Sequence, residues 1–237
     1  MNLRPYQQAA IERYKAEGAQ RTLFVSPTGS GKTVLISELV KRLPGSVLFL
    51  THRQEILFQA EKYFGSVNVI KSGHDKMVGS RITVAQVQTL ARRELLPADI
   101  VVSDEVHHCR GAQWAGILGR YPGAFHIGLT ATPYRLDGKG LGSIYDKVID
   151  VATIDELISG GWLVEPIYYG AKIEPNLKRV SKCAGDFNQL ELSQECRSKI
   201  IVAGVVDSIK KHAGRHIVVY AVDCAHAEDI CREVPGA

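Results

Sequence analysis

Four residues in two short stretches could together do chemistry on a polyphosphate. Lys32 and Thr33 close the stretch Ser26-Pro27-Thr28-Gly29-Ser30-Gly31-Lys32-Thr33, and Asp104 and Glu105 follow Ile100-Val101-Val102-Ser103. The glycines Gly29 and Gly31 let backbone N–H groups approach phosphate oxygens, and a helix starting at Lys32 adds the partial positive charge of its N-terminus. Lys32 would reach the β and γ phosphates, and the Thr33 hydroxyl would ligate Mg²⁺. Asp104 would hold the same metal, directly or through water, and Glu105 would orient or deprotonate an attacking water. An Asp-Glu pair alone is a common helix cap; downstream of a phosphate loop it completes a nucleotide-hydrolysing constellation. Ser26 stands where the strict loop pattern has Gly or Ala, a small departure.

These residues need a scaffold that delivers them to one edge. Thr22-Leu23-Phe24-Val25, Val47-Leu48-Phe49-Leu50, Val67 to Ile70, Ile82-Thr83-Val84, Ile100-Val101-Val102 and Phe125 to Leu129 are short apolar, β-prone runs. Helical patterns lie between several of them: Pro5 to Glu17 closed at Gly18, Val34 to Val40, and Gln54 to Phe64 with Ile56, Leu57, Ala60 and Phe64 on one side. Alternating strands and helices predict an α/β fold with a parallel sheet covered on both faces. Each chemically suggestive residue falls just after a strand, where such sheets bind ligands. Further on, Thr153 to Glu156 reads as a capping box for a short helix closed by Gly160-Gly161. Ile167 to Tyr169 reads as a strand, Glu174 to Asp186 as a connector, Ser198 to His212 as a helix and Ile217 to Ala221 as a strand. Cys224 to Cys231 begins another helix.

At 237 residues, 45% hydrophobic and 23% charged, the chain has an ordinary globular composition. A net charge of +4 permits a nucleic-acid partner without requiring one. No apolar run approaches the ~18 residues of a membrane span, and Met1 to Tyr6 has no secretory apolar core. The five cysteines, odd in number and without a C-x-x-C pair, suggest reduced thiols in a cytoplasm. Cys109 beside His107 and His108 is read as a thiol, because adjacent residues rarely point at one ion.

Pro27 to Thr33, Asp104-Glu105-Val106-His107 and Thr130-Ala131-Thr132-Pro133 resemble motifs I, II and III of superfamily 2 helicases. Leu3-Arg4-Pro5-Tyr6-Gln7 looks like the adenine-recognition motif of that group, Leu50 to Arg53 like motif Ia, and Val87 to Leu90 like part of motif Ib. Gly128 through Arg135, with Asp155 to Pro166, is most like the RadD-type bacterial and phage DNA helicases, and XPB-type repair helicases are more distant. The resemblance implies a RecA-like P-loop domain over residues 1–160, a connector over 161–196, and the start of a second RecA-like domain over 197–237, where Val218 to Glu228 looks like motif IV.

It also implies roles. Arg4, Gln7 and the loop residues Pro27, Thr28, Gly29, Ser30, Gly31, Lys32 and Thr33 would bind ATP with Mg²⁺. Thr51, Arg53, Gln88 and Thr89 would contact the backbone of one nucleic-acid strand. His107, Thr130 and Thr132 would relay nucleotide state to that surface. The partner implied is DNA, as a single strand or a single/double-strand junction, with RNA as the alternative; a DEAD-type motif II would suit RNA better than Asp104 to His107 does. A nucleotide-gated binding module with little catalysis is the remaining reading. Motifs V and VI, and with them an arginine finger, are not within these residues. The chain is therefore expected to be a truncated form that binds ATP·Mg²⁺ and hydrolyses it slowly.

Overall fold

The computed structural model of the chain describes residues 2–17, 19–52, 54–73, 75–94, 96–106, 116–133, 140–142, 144–167, 173–183 and 186–234. Two units, Met1–Glu165 and Pro166–Ala237, each form their own set of contacts.

In the first unit, α1 (Pro5–Glu17) begins at a proline whose fixed φ suits a first helical turn, and it buries Gln7, Ala10, Ile11 and Tyr14, the i, i+3, i+4, i+7 pattern of one helix face. Then come β1 (Arg21–Val25), α2 (Lys32–Arg42), β2 (Val47–Thr51), α3 (Gln54–Phe64), β3 (Asn68–Ile70), β4 (Ile82–Gln86), α4 (Val87–Leu90), β5 (Ile100–Ser103), β6 (Phe125–Thr130) and β7 (Lys147–Asp150). The strands form one seven-stranded sheet in the order β3-β4-β2-β5-β6-β1-β7. All neighbours in it are parallel. The mixed α/β layering is the one the alternating pattern predicts.

The uniform apolarity of β2 follows from its central place: successive side chains point to opposite faces, and both faces are covered. Val47 and Phe49 join a cluster with Ile11, Phe24, Leu39, Val102 and Ile127. Leu48 and Leu50 join the opposite one with Val101, Ile117 and Tyr121. Each such side chain contributes about 1.5–3 kcal/mol on burial. Gly128 in β6 is required by a close approach, because a Cβ there would stand 2.4 Å from Cζ of Tyr145.

Three expectations need correction. β7 is an additional strand; as an edge strand it pairs only with β1 and buries only Ile149, so its charged ends Lys147 and Asp150 hid it. The expected connector Glu174–Asp186 holds a 3₁₀ turn (Leu177–Arg179) and an antiparallel pair, Lys182–Cys183 with Asp186–Phe187. Ile217–Ala221 is not a strand, because no described strand pairs with it; Val218 is 76% and Tyr220 93% exposed. The expected strand at Ile167 to Tyr169 lies mostly outside the described residues.

The other described elements of the second unit are helices. Asn188 caps Gln189–Cys196 by accepting from the N–H groups of Leu190 and Glu191. Lys199–Lys211 packs Val202 and Val206 against Ile230 of Cys224–Glu233. Arg197 donates to Asp229 at 2.6 Å. Among the described residues no helix is long and apolar enough to cross a membrane.

Candidate nucleotide site

β1 and α2 set the phosphate loop. Gly29 (φ 84°) and Gly31 (φ 80°) take the left-handed backbone that glycine adopts without strain, and Gly31 is the N-cap of α2. A loop of this shape turns successive N–H groups toward one point. A Cβ at Gly31 would lie 2.7 Å from Gln7 Nε2, so a side chain there would displace the Gln7 amide from the loop. The loop is stapled from inside. Ser26 Oγ donates to Ser30 Oγ at 2.6 Å, and Ser30 Oγ donates to the carbonyl of Pro27 at 2.6 Å, with both serines buried. The serine that departs from the motif thus supplies a bond that glycine or alanine could not. Lys32 Nζ donates to the Ser26 carbonyl at 3.2 Å, folding the ammonium back over the loop.

The sheet brings the acidic pair to the same edge. β6 lies between β1 and β5, so the loop after β1 and the carboxylates after β5 flank the end of β6. Asp104 and Glu105 are both buried, and the N–H of Asp104 donates to the Leu50 carbonyl at 2.9 Å. Glu105 has φ 49°, the sole left-handed non-glycine among the described residues. Such backbone costs on the order of 1–3 kcal/mol and persists where surrounding structure imposes it. Thr130 closes β6 with its hydroxyl, which donates to the Thr132 carbonyl at 2.7 Å and accepts from the Thr132 N–H at 3.0 Å. Its own carbonyl accepts the N–H of Ser26 at 2.9 Å. Thr130 therefore joins the first residue of the phosphate loop to the turn after β6.

The start of α1 braces the loop from the other side. Gln7, 2% exposed, donates through Nε2 to the carbonyls of Ser30 (2.9 Å) and Gly31 (3.3 Å), and its Oε1 accepts the N–H of Arg4 at 2.9 Å. Tyr6 OH donates to the Ser30 carbonyl at 2.7 Å. Tyr6, the Ser26–Ser30 staple, Trp162 against Tyr6 and Leu163 against Gly29 are features around the loop that the sequence alone does not single out. The available signal was the tyrosine inside Leu3 to Gln7 and the aromatic residue directly after Gly160-Gly161.

Of the strand-contacting candidates, Thr51, Gln88 and Thr89 lie on the same carboxyl edge. Thr51 is fully buried at the tip of β2 and in register with Gln86 of β4. Gln88 is exposed on α4, and Thr89 Oγ1 donates to Gln86 Oε1 at 3.2 Å. Arg53 and His107 lie outside the described residues. Away from the site, His126 in β6 is buried and its Nε2 donates to the Tyr121 carbonyl at 2.9 Å. Burial holds its pKa below the usual histidine range.

Residues 1–135 match the family model described as the Type III restriction enzyme, res subunit. Among curated relatives, a 51.5 kDa protein of a Lactococcus phage is 30% identical over 227 residues, covering 91% of this chain and 47% of its own. A putative ATP-dependent helicase, IRC3, of Saccharomyces cerevisiae is 29% identical over 262 residues, covering 96% of this chain and 38% of its own. The chain thus spans about half or less of the length of these relatives. A solved structure of the Type ISP restriction-modification enzyme LlaGI, a nuclease-deletion mutant in complex with a DNA substrate mimic, shares the fold. Its TM-score is 0.54 at 16% identity, over 91% of this chain and 23% of that one. With its phosphate loop, its acidic pair and its threonine turn on one edge of a parallel sheet, the chain belongs to the family of the Type III restriction enzyme res subunit, among the superfamily 2 helicases.

Proposed function

We propose that the protein is an ATP-dependent DNA translocase or helicase, and that residues 1–165 carry one wall of its ATP site. The observation that supports this most is the arrangement on one edge: Lys32 and Thr33 after β1, Asp104 and Glu105 after β5, and Thr130 between them bonded to Ser26. The residues fit Mg²⁺ and a nucleoside triphosphate. The left-handed glycines leave room for phosphate oxygens, and Thr33 and Asp104 would hold Mg²⁺, the aspartate directly or through water. Mg²⁺, when bound, supplies charge neutralisation at the transferring phosphoryl group. Lys32 draws charge from the β and γ oxygens, and Glu105 orients the attacking water and accepts its proton. Arg4 and Gln7 sit at the nucleoside end.

Thr130, Thr132 and His107 pass the state of the phosphate loop to the strand-binding edge. There Arg53, Gln88 and Thr89 meet the sugar-phosphate backbone, whereas Thr51, expected with them, is fully buried at the tip of β2. DNA is favoured over RNA by the Asp104-Glu105-Val106-His107 form of the acidic motif, and the LlaGI relative was captured on a DNA mimic. The division into units after Glu165, close to the expected boundary at residue 160, supports reading residues 1–160 as the first RecA-like domain, 161–196 as a connector and 197–237 as the start of a second.

The test is steady-state ATP hydrolysis by the full-length protein with no polymer, single-stranded DNA, duplex DNA or RNA. Stimulation by DNA, abolished in Lys32→Ala and Glu105→Gln, is expected. Equal rates with and without every polymer would overturn the translocase reading, and stimulation by RNA alone would overturn the choice of DNA.

A further inference from the structure

The turn after the helix Ile154–Ser159 carries an aromatic side chain to the start of α1, beside the phosphate loop. Thr153 caps that helix reciprocally with Glu156, and Gly161 (φ 70°) reverses the chain at its end. The N–H groups of Trp162 and Leu163 both donate to the carbonyl of Leu157, at 2.8 and 3.0 Å, and Leu157 is fully buried. The turn is therefore held at both ends by hydrogen bonds to ordered structure. Its glycine is also needed for space, since a Cβ at Gly160 would lie 2.8 Å from Trp162 Cδ1.

Two side chains leave this turn toward the site. Leu163 Cδ2 would be 2.9 Å from a Cβ at Gly29, so Leu163 lies directly on the phosphate loop. Trp162 meets the edge of Tyr6 at 6.4 Å between ring centroids, and the Arg4 guanidinium carbon sits 4.7 Å from the centre of its ring. Arg4 Nη1 donates to Tyr6 OH at 2.9 Å, and Tyr6 OH donates onward to the Ser30 carbonyl at 2.7 Å. Trp162 remains 41% exposed, more open than a core side chain.

We propose that Trp162 is a positioning residue for nucleotide recognition, holding the Arg4 guanidinium beside the phosphate loop so that Arg4 meets the base or ribose of the bound nucleotide. The inference deepens the ATP-site reading and rests on it. A guanidinium has five N–H donors, and the Tyr6 bond takes one of them. Fixing the plane against an indole face removes the ordering that a free arginine undergoes at each binding event.

Calorimetry on the 237-residue chain tests this with two ligands, Mg·AMP-PNP and Mg·tripolyphosphate, the second lacking a nucleoside. Trp162→Leu should bind AMP-PNP about fivefold more weakly, the scale of a partly exposed cation–π contact, and Trp162→Phe should recover most of the loss. Tripolyphosphate should bind all three proteins equally. In an Arg4→Ala background, Trp162→Leu should add nothing. AMP-PNP binding unchanged by Trp162→Leu would overturn this inference alone. Equal weakening for both ligands would overturn it too, by showing damage to the loop instead. A wild-type chain that binds neither ligand would overturn the ATP-site reading and this inference with it.

Discussion

β2 in the first unit and Ile217–Tyr220 in the second are equally apolar, and the structure treats them oppositely. Val47–Thr51 lies between β4 and β5 and is buried throughout. Ile217, Val218, Val219 and Tyr220 are all exposed, and no described strand pairs with them. Apolar β-prone sequence equips a segment to be a strand, but backbone N–H and C=O groups must find a ladder before it becomes one. The same contrast runs through the cores. The first unit packs both faces of a sheet, whereas the second gathers Val202, Val206 and Ile230 between two helices.

Hydrogen exchange is the sharpest way to break that comparison. Amides of β2 and β5 should exchange only through global unfolding, slower than those of residues 217–221 by a factor on the order of 10³ or more. Similar protection in the two segments would show that the second unit forms a strand there. Core truncation should separate the units next. Phe49→Ala should destabilise the first unit by about 3–5 kcal/mol, and Val206→Ala the second by only about 1–2 kcal/mol, as read by urea unfolding with a probe in each unit. A loss from Val206→Ala as large as that from Phe49→Ala would mean that the second core is tighter than its few residues imply.

Thr153→Ala removes one half of the reciprocal cap and should cost about 1 kcal/mol in the same urea assay, measured in the first unit. No change would mean that the helix is held by Leu157 alone. The smallest effect expected is a pH dependence confined to the first unit. Buried His126 has a folded pKa below its unfolded value near 6.5, so the unfolded chain binds the proton first. Its contribution is complete above that value and is lost as pH falls from about 6.5 toward the folded pKa. Melting curves at descending pH should show the loss in wild type and a shallower slope in His126→Gln. Identical slopes would remove His126 from the account.

What the sequence made legible was what is local. The α3 boundaries, Gln54 and Phe64, follow from an amphipathic stripe, and the Thr153/Glu156 cap from a four-residue pattern. The central strands were legible because burial on both faces writes continuous apolar runs. β7 was not, because an edge strand buries one residue and keeps charges at its ends. The helix Gln189–Cys196 was not, because it buries only Ser193 and Cys196 and reads as polar. In the site, Lys32, Thr33, Asp104 and Glu105 stood out through motif spacing. Arg4, Tyr6 and Trp162 meet only through tertiary packing, and no short-range pattern announces a contact between a chain start and a turn so far downstream.

The central claim is that the first unit holds a nucleotide through the loop at residues 26–33. The most direct measurement is calorimetric titration of Mg·ATP into the wild-type chain and into Lys32→Ala. One site per chain is expected for wild type, with affinity about 100-fold weaker in Lys32→Ala, the scale of a lost charged hydrogen bond. Equal binding by the two proteins would contradict the account.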